Sequence, residues 1–389
     1  MNRLPPSLLP VLLVTCLAGA GPAFAGETRA RDLGVPFDGT PGPLNAITDV
    51  SGVTVGHVTL IEDVDSNRKV RTGVTAIVPR GRLSLNSPVY GGWFALNGNG
   101  EMTGTTYLDE MGQIDGPIML TNTHSVGVVH DAVIAWRVRA GPADASGYWW
   151  SSPVVAETWD GDLNDINGFH VRAEHVDRAL DGARGGPVAE GNVGGGTGMI
   201  CHEFKCGIGT ASRRVEVADH SYVTGALVQA NYGNRETLTI AGVPVGKHLP
   251  VDDPRPPALS GDSGSIVVVL ATDAPLLPHQ LDRVARRAAL GLGRMGSFAG
   301  NGSGDIFVAF STANADALSG VPVAQSTSLA NSALDPLFLA IVQATEEAIV
   351  NALIAARDMQ GTDGRVARAL PQDELLQLLK RYGRYQAPN

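Results

Sequence analysis

Cysteine is scarce in this chain. Only three of its 389 residues are cysteines, and one of them, Cys16, lies in an N-terminal apolar segment. Cys201 and Cys206 form one closely spaced pair, and no second pair lies at a spacing that would complete a four-ligand zinc site. A disulfide-dense scaffold is therefore excluded, and the pair is expected to be structural, either free or bridged. The histidines form no His-Glu-x-x-His arrangement, so no catalytic metal or other cofactor is expected.

Basic clusters and long apolar runs are also missing. The formal net charge is −10, and the lysines and arginines form no cluster, which argues against nucleic acid as a partner. The apolar run over residues 8–20 is too short to span a bilayer, and no later segment is uninterrupted enough. The sequence therefore does not predict a membrane-embedded protein.

The N-terminus has the pattern of an export signal. Arg3 supplies the positive end, the apolar run follows it, and Ala23-Phe24-Ala25 matches a small-x-small cleavage site. We expect residues 1–25 to be a signal peptide and the mature chain to begin at Gly26. The predicted location is the periplasm or the outside of the cell.

Glycine and apolar residues are plentiful. The chain has 48 glycines and 43% hydrophobic residues, which is typical of closely packed strands joined by tight turns. Strands and helices are mixed without a strict βαβ rhythm, so the sequence predicts an α/β fold with sheet layers covered by helices. Asp335 and Pro336 are expected to start a long helix. The elements predicted in the second half are strands over 265–270 and 306–310, a glycine-rich turn over 300–304, and helices over 278–290, 337–359 and 372–381.

The most informative segment joins a polar loop to a buried strand. Residues 260–264 are Ser-Gly-Asp-Ser-Gly, and the strand that follows begins with Ser265 and continues as Ile-Val-Val-Val-Leu. Cleavage before Ser265 would leave that residue with a hydroxyl nucleophile and a free α-amine that can act as the base. The pattern therefore predicts an N-terminal nucleophile hydrolase.

Two alternatives remain open on the residues alone. Gly261-Asp262-Ser263-Gly264 matches the serine tetrapeptide of chymotrypsin-like proteases, which would make Ser263 the nucleophile of an endopeptidase. No histidine of the chain lies in the Ala-Ala-His-Cys setting of those proteases. An uncleaved periplasmic binding protein would keep a ligand pocket and lack hydrolysis.

Seven short blocks together share a pattern with one known family. They are 73–77 (GVTAI), 97–101 (NGNGE), 121–127 (TNTHSVG), 157–161 (ETWDG), 229–233 (QANYG), 264–268 (GSIVV) and 301–306 (NGSGDI). On these blocks the chain resembles the family of L-aminopeptidase/D-esterases and β-peptidyl aminopeptidases, which are self-processing N-terminal serine hydrolases. The resemblance covers essentially the whole mature chain. It implies a four-layer α/β/β/α sandwich, cleavage into subunits 26–264 and 265–389 within one folded domain, and homotetramers of processed protomers.

The resemblance also implies roles for individual residues. Gly264 would end the large subunit, and Ser265 would be the nucleophile that begins the small one. Ser303 and Asp305 match the pair that hydrogen-bonds around the nucleophile, and Asn231 matches an amide that stabilises the oxyanion. The matches for the substrate site are Glu157, which would receive the free amino group, and Trp159, which stands where the D-esterase member has a tyrosine. An indole has no hydroxyl, so Trp159 lacks the group that the tyrosine offers.

The chemistry of these side chains agrees with the implied reaction. An unperturbed α-amine titrates near pH ~7.7, so a substantial fraction can accept the serine proton near neutral pH. Ser303, expected on the glycine-rich turn, could bridge this amine and the carboxylate of Asp305. His124 is expected to be a hydrogen-bonded core histidine. The predicted enzyme removes N-terminal residues from short peptides, amides or esters, including β-amino acid peptides.

Overall fold

The computed structural model describes residues 28–82, 87–140, 150–249, 263–318 and 322–387. The predicted signal peptide, the polar loop over 260–262 and the aromatic residues Tyr148 and Trp149 lie outside these ranges. The strands are β1 (Thr54–Asp63), β2 (Lys69–Arg82), β3 (Val89–Ala95), β4 (Gln113–Ile114), β5 (Ile118–Asn122), β6 (Val154–Thr158), β7 (Ile200–Cys201), β8 (Phe204–Lys205), β9 (Ile208–Val217), β10 (His220–Asn231), β11 (Ser263–Thr272), β12 (Gly302–Ser311), β13 (Met359–Gln360) and β14 (Val366–Ala367). The α-helices are α1 (Thr105–Met111), α2 (Val126–Ala140), α3 (Ala173–Asp181), α4 (Pro278–Arg294), α5 (Asp335–Ala355) and α6 (Gln372–Arg381).

Two sheets form the centre of the molecule. The first has four strands in the order β1-β2-β5-β6, and the second has six in the order β4-β3-β12-β11-β10-β9. Strand β11 contains the predicted cleavage bond near its start, and β12 follows it. Both strands lie between β3 and β10, which precede the bond. The segments on the two sides of that bond therefore share one sheet and one core.

Side chains alternate between the layers along the central strands. In β11, Val267 and Val269 belong to the core between the two sheets, whereas Ile266 and Val268 belong to the core under α4 and α5. Because both faces are covered, the strand can be apolar without interruption. A third apolar cluster lies between the first sheet and helices α2 and α3. The four-layer α/β/β/α sandwich predicted from the sequence is confirmed.

The register of β10, β11 and β12 brings the predicted site residues together. Strands β11 and β12 are parallel, with Gly264 opposite Ser303 and Ser265 opposite Gly304. Strand β10 runs antiparallel to β11 and places Asn231 directly opposite Ser265. The strands predicted over 265–270 and 306–310 therefore lie side by side.

Two local predictions are wrong, and a third is right only in part. Ser303 does not lie in a turn, because β12 already begins at Gly302. The long helix does begin at Asp335, as predicted, but Asp335 makes no side-chain cap, since Leu334 is the capping residue. That helix ends at Ala355 rather than near residue 359, because the chain turns into an extended conformation and then forms β13. Helix α5 is long and apolar enough to cross a membrane by composition, but it is mostly buried within the protein.

Candidate active site

The junction between Gly264 and Ser265 is tightly enclosed by β10. Gly264 has a φ of 153°, and a Cβ atom added there would lie 2.1 Å from the carbonyl oxygen of Asn231 and 3.0 Å from Tyr232 Cα. Only glycine fits this position without a shift of the backbone. Ser265 is buried, and its Oγ donates a 2.7 Å hydrogen bond to the carbonyl oxygen of Gly264. The hydroxyl thus contacts the carbonyl group that it would attack during self-cleavage.

The Asn231 amide has a fixed orientation beside Ser265. Its Oδ1 accepts a 2.8 Å hydrogen bond from the backbone N–H of Ile200, so the amide nitrogen faces the other way. Side chains of directly opposed residues in an antiparallel pair lie on the same face, with Cβ atoms about 5 Å apart. Asn231 can therefore present an N–H donor next to the hydroxyl of Ser265.

Ser303 and Asp305 form a buried hydrogen-bonded pair on β12. The Ser303 Oγ donates to Asp305 Oδ1 at 2.7 Å, and both residues are almost fully buried. Asn97 holds the carboxylate from the other side, since its Nδ2 donates to Asp305 Oδ2 at 3.3 Å and its Oδ1 accepts from the Asp305 N–H at 2.6 Å. The parallel register places Ser303 opposite Gly264, beside the bond whose cleavage would free the amine of Ser265.

Glu157 provides a buried carboxylate at the end of β6. Its Oε1 accepts a 2.9 Å hydrogen bond from the Glu101 N–H, and its Oε2 accepts one from the hydroxyl of Thr123. Burial raises the pKa of Glu157, although these hydrogen bonds act in the opposite direction. A buried carboxylate with so few partners is suited to receive an ammonium group.

Gly100 connects the carboxylate to the nucleophile. A Cβ atom at Gly100 would lie 3.3 Å from Glu157 Oε1 and 3.4 Å from the Cα of Gly304. Gly304 is the register partner of Ser265. Gly100 therefore lies between Glu157 and the paired strands β11 and β12, which carry the hydroxyl. The segment over residues 97–101 is thus the common wall of both parts of the site.

Exposed aromatic side chains flank the carboxylate. Trp159 follows Glu157 by two residues and is 41% exposed. His124 contacts the Trp159 ring edge-on, with centroids 5.6 Å apart, and stacks on Phe169 at 6.1 Å. The prediction of a core histidine is wrong, because His124 is exposed on this aromatic wall. Phe169 itself has a left-handed backbone with a φ of 51°.

Sequence reasoning missed the residues that hold the site residues in place. Asn97 and Thr123 lie in two of the family-like blocks, but their contacts with Asp305 and Glu157 depend on loops that meet only in the fold. The available signal for Asn97 was the polar segment Asn-Gly-Asn-Gly-Glu, which is equally typical of a turn. Among the described residues, no group of three or more His, Cys, Asp or Glu could hold a metal ion.

Comparisons with known proteins agree with this geometry. The profile of peptidase family S58 matches residues 45–367. A protein named β-peptidyl aminopeptidase BapA, from Sphingosinicella microcystinivorans, is 54% identical over an aligned length of 384 residues, and the match covers 95% of this chain and 96% of the relative.

Solved structures give the same result. The L-aminopeptidase D-Ala-esterase/amidase of Ochrobactrum anthropi, described as a variant of the Ntn hydrolase fold, superimposes with a TM-score of 0.85 at 49% identity and covers 92% of this chain and all of its own. A β-aminopeptidase from a Burkholderia species has a TM-score of 0.83 at 50% identity and covers 91% of this chain and 99% of its own. The chain therefore belongs to peptidase family S58 and is a serine aminopeptidase with the N-terminal nucleophile hydrolase fold.

Proposed function

We propose that this chain cuts its own backbone between Gly264 and Ser265 and then works as an aminopeptidase with Ser265 as its nucleophile. The products are a large subunit over 26–264 and a small subunit over 265–389. The observation that carries the proposal is the enclosed junction, where the Ser265 hydroxyl touches the Gly264 carbonyl and only glycine fits before it.

Self-cleavage proceeds as an acyl shift followed by hydrolysis. The Ser265 Oγ attacks the carbonyl carbon of Gly264, the C–N bond breaks, and the nitrogen of Ser265 takes up the proton as it becomes a free amine. Water then hydrolyses the new ester, which releases the Gly264 carboxylate and restores the hydroxyl. Asn231 is aimed to stabilise the negative oxygen that develops during each attack.

The processed enzyme repeats this chemistry on a substrate. The free α-amine accepts the proton of Ser265 Oγ while the oxygen attacks the substrate carbonyl, and the amine then protonates the leaving nitrogen. The Ser303 hydroxyl, which donates to the Asp305 carboxylate, accepts a hydrogen bond from the amine. The amine is thereby connected to the negative charge of Asp305 through one hydroxyl group. Water releases the acyl group from the ester in the second half of the reaction.

The substrate is a short peptide, amide or ester with a free N-terminal amine. Its ammonium group pairs with Glu157, which explains why the enzyme acts at chain ends rather than inside proteins. Trp159 lines the neighbouring space. We propose β-amino acid peptides as substrates, supported by the relative named β-peptidyl aminopeptidase at 54% identity and by the Burkholderia β-aminopeptidase.

We also propose export and assembly of the enzyme. The bridged cysteine pair supports an oxidising compartment, since disulfides form and persist there. This agrees with a signal peptide over residues 1–25 and a periplasmic or secreted location. By analogy with the family, processed protomers assemble as homotetramers, which light scattering after size-exclusion chromatography measures directly.

N-terminal sequencing and mass spectrometry of the purified protein test the central proposal. We expect two fragments on denaturing electrophoresis, with the smaller one beginning at Ser265. Ser265→Ala should remain a single inactive chain. Active enzyme that consists only of the full-length polypeptide would refute the proposal.

Two other readings are tested by the same material. An endopeptidase that uses Ser263 would lose activity in Ser263→Ala and keep it in Ser265→Ala, whereas we expect the reverse. A binding protein would stay intact and inactive towards aminoacyl p-nitroanilides. Membership of peptidase family S58 favours the aminopeptidase over both. A panel of L-α-, D-α- and β-aminoacyl p-nitroanilides gives the substrate preference.

A further inference from the structure

A small disulfide-closed hairpin packs against the end of strand β10. It consists of β7 and β8, and a disulfide joins Cys201 to Cys206 with a Cα–Cα distance of 5.4 Å. Both cysteines are fully buried. The bridge closes a loop too short to contribute much to the stability of a domain this large, so its position matters more than its cross-linking.

The hairpin is attached to β10 through two backbone N–H groups. The N–H of Ile200 donates to Asn231 Oδ1 at 2.8 Å, and the N–H of His202 donates to the carbonyl of Tyr232 at 2.7 Å. The His202 ring also meets the Tyr232 ring edge-on, with centroids 5.0 Å apart. The hairpin therefore determines which way the Asn231 amide faces.

The turn of the hairpin is conformationally unfavourable. His202 and Glu203 both have left-handed backbones, with φ of 48° and 61°. Two-residue turns of this kind normally contain Asn-Gly or similar pairs, because side chains with a Cβ resist positive φ. A turn of His-Glu needs outside support to persist, and the bridge from Cys201 to Cys206 spans it directly.

The base of the hairpin has further buried anchors. The Lys205 Nζ is fully buried and donates to the carbonyl oxygens of Met199 and Cys206. The guanidinium of Arg235, in the segment after β10, lies 3.8 Å from the centre of the Phe204 ring. The Met199 carbonyl belongs to the same planar peptide group as the Ile200 N–H, so the bond from Lys205 helps to hold that group. The N–H of Cys206 donates to the same carbonyl oxygen at 3.0 Å, so one of the two bridged cysteines also holds the peptide plane that carries the Ile200 N–H.

We propose that the Cys201–Cys206 disulfide is a positioning element of the reaction, which keeps the Ile200 N–H on Asn231 Oδ1 and thereby directs the amide N–H towards the oxyanion. The inference rests on the proposed function, in which Asn231 stabilises that oxyanion. When the bridge is open, the strained turn relaxes, the Ile200 N–H leaves the amide, and Asn231 samples other orientations. Substrate binding at Glu157 is unaffected, because that carboxylate is held by other segments.

The test compares Cys201→Ala/Cys206→Ala with the wild-type processed enzyme on an aminoacyl p-nitroanilide. We expect kcat to fall on the order of tenfold to a hundredfold, as for a misplaced catalytic group, while KM stays within about twofold. Leu378→Ala, on α6, is the control for general destabilisation and should leave kcat unchanged even if it lowers the melting temperature. Asn231→Ala should lower kcat about 10²- to 10³-fold.

A double-mutant cycle separates positioning from a purely structural role. In the Asn231→Ala background, loss of the two cysteines should change kcat by less than about twofold, because there is no amide left to orient. An equal loss in both backgrounds, or wild-type kcat in the double-alanine variant, would overturn the inference. Wild-type kcat in Asn231→Ala would instead remove its premise, the oxyanion role in the proposed function.

Reduction of the processed wild-type enzyme gives the same comparison without a variant that has to fold and self-cleave. Dithiothreitol in mild denaturant opens the bridge, and a thiol titration confirms two free cysteines per protomer. The reduced enzyme should lose kcat and regain it on reoxidation, while KM stays constant. Full activity with two titratable thiols would contradict the proposal.

Discussion

Gly264→Ala tests the enclosed junction with a single methyl group. The added Cβ would lie 2.1 Å from the carbonyl oxygen of Asn231, far inside van der Waals contact, so the start of β11 must move by about 1 Å. A displacement of this size at a reacting group can cost about 10²-fold in rate, which corresponds to about 2.7 kcal/mol in the barrier. We therefore expect self-cleavage to slow on the order of 10²-fold.

The assay follows conversion of the precursor after cell-free synthesis by denaturing electrophoresis. Gly293→Ala is the matched control, because no atom lies within 4 Å of the Cβ that it adds. It should process at the wild-type rate and gain about 0.5–1 kcal/mol of stability, since Gly293 lies inside α4. Material of Gly264→Ala that does become processed should have wild-type kcat, because residue 264 is only the end of the large subunit. Wild-type processing of Gly264→Ala would refute the steric argument.

Three further predictions concern Asn97, Glu157 and Asp160. Asn97→Ala removes the side-chain oxygen that accepts a hydrogen bond from the N–H of Asp305. The free energy of unfolding, measured in urea, should fall by about 1–3 kcal/mol, and the processed enzyme should have a lower kcat. Glu157→Gln should raise KM for aminoacyl p-nitroanilides roughly 10- to 100-fold with a smaller change in kcat, as expected for one lost charge-assisted hydrogen bond. Because burial raises the pKa of Glu157, the wild-type KM should rise as pH falls through that raised pKa, whereas KM of the glutamine variant should not follow this titration. Burial raises the pKa of Asp160 to about 7, so the folded state holds a proton that the unfolded chain releases above about pH 4, and this contribution to stability is lost as pH rises towards 7. Asp160→Asn should therefore weaken that pH dependence in urea titrations at pH 5 and 8, and an unchanged slope would contradict the assignment.

The sequence by itself determined the elements whose signal is local. The unbroken apolar run after Ser265 predicted a strand buried on both faces, and α6 was predicted with its observed bounds of Gln372–Arg381 from its leucine spacing. The run Gly291-Leu292-Gly293-Arg294-Met295-Gly296 matches the Gly-x-Gly-x-x-Gly pattern of a dinucleotide-binding site, but such a site follows a strand and this run follows a helical pattern. In the structure, α4 continues through Arg294. Spacing and burial patterns suffice where each residue responds mainly to its own neighbours along the chain.

Only the tertiary structure decided which polar groups meet. Ser303 reads as a turn residue between glycines, but pairing with β11 draws it into a strand, where a neighbouring loop supplies Asn97 to hold Asp305. The same holds for the hairpin closed by Cys201 and Cys206, whose contact with Asn231 joins segments 31 residues apart. Hydrogen bonds between such distant segments depend on strand register and loop packing, and neither is encoded in the local pattern of a single segment.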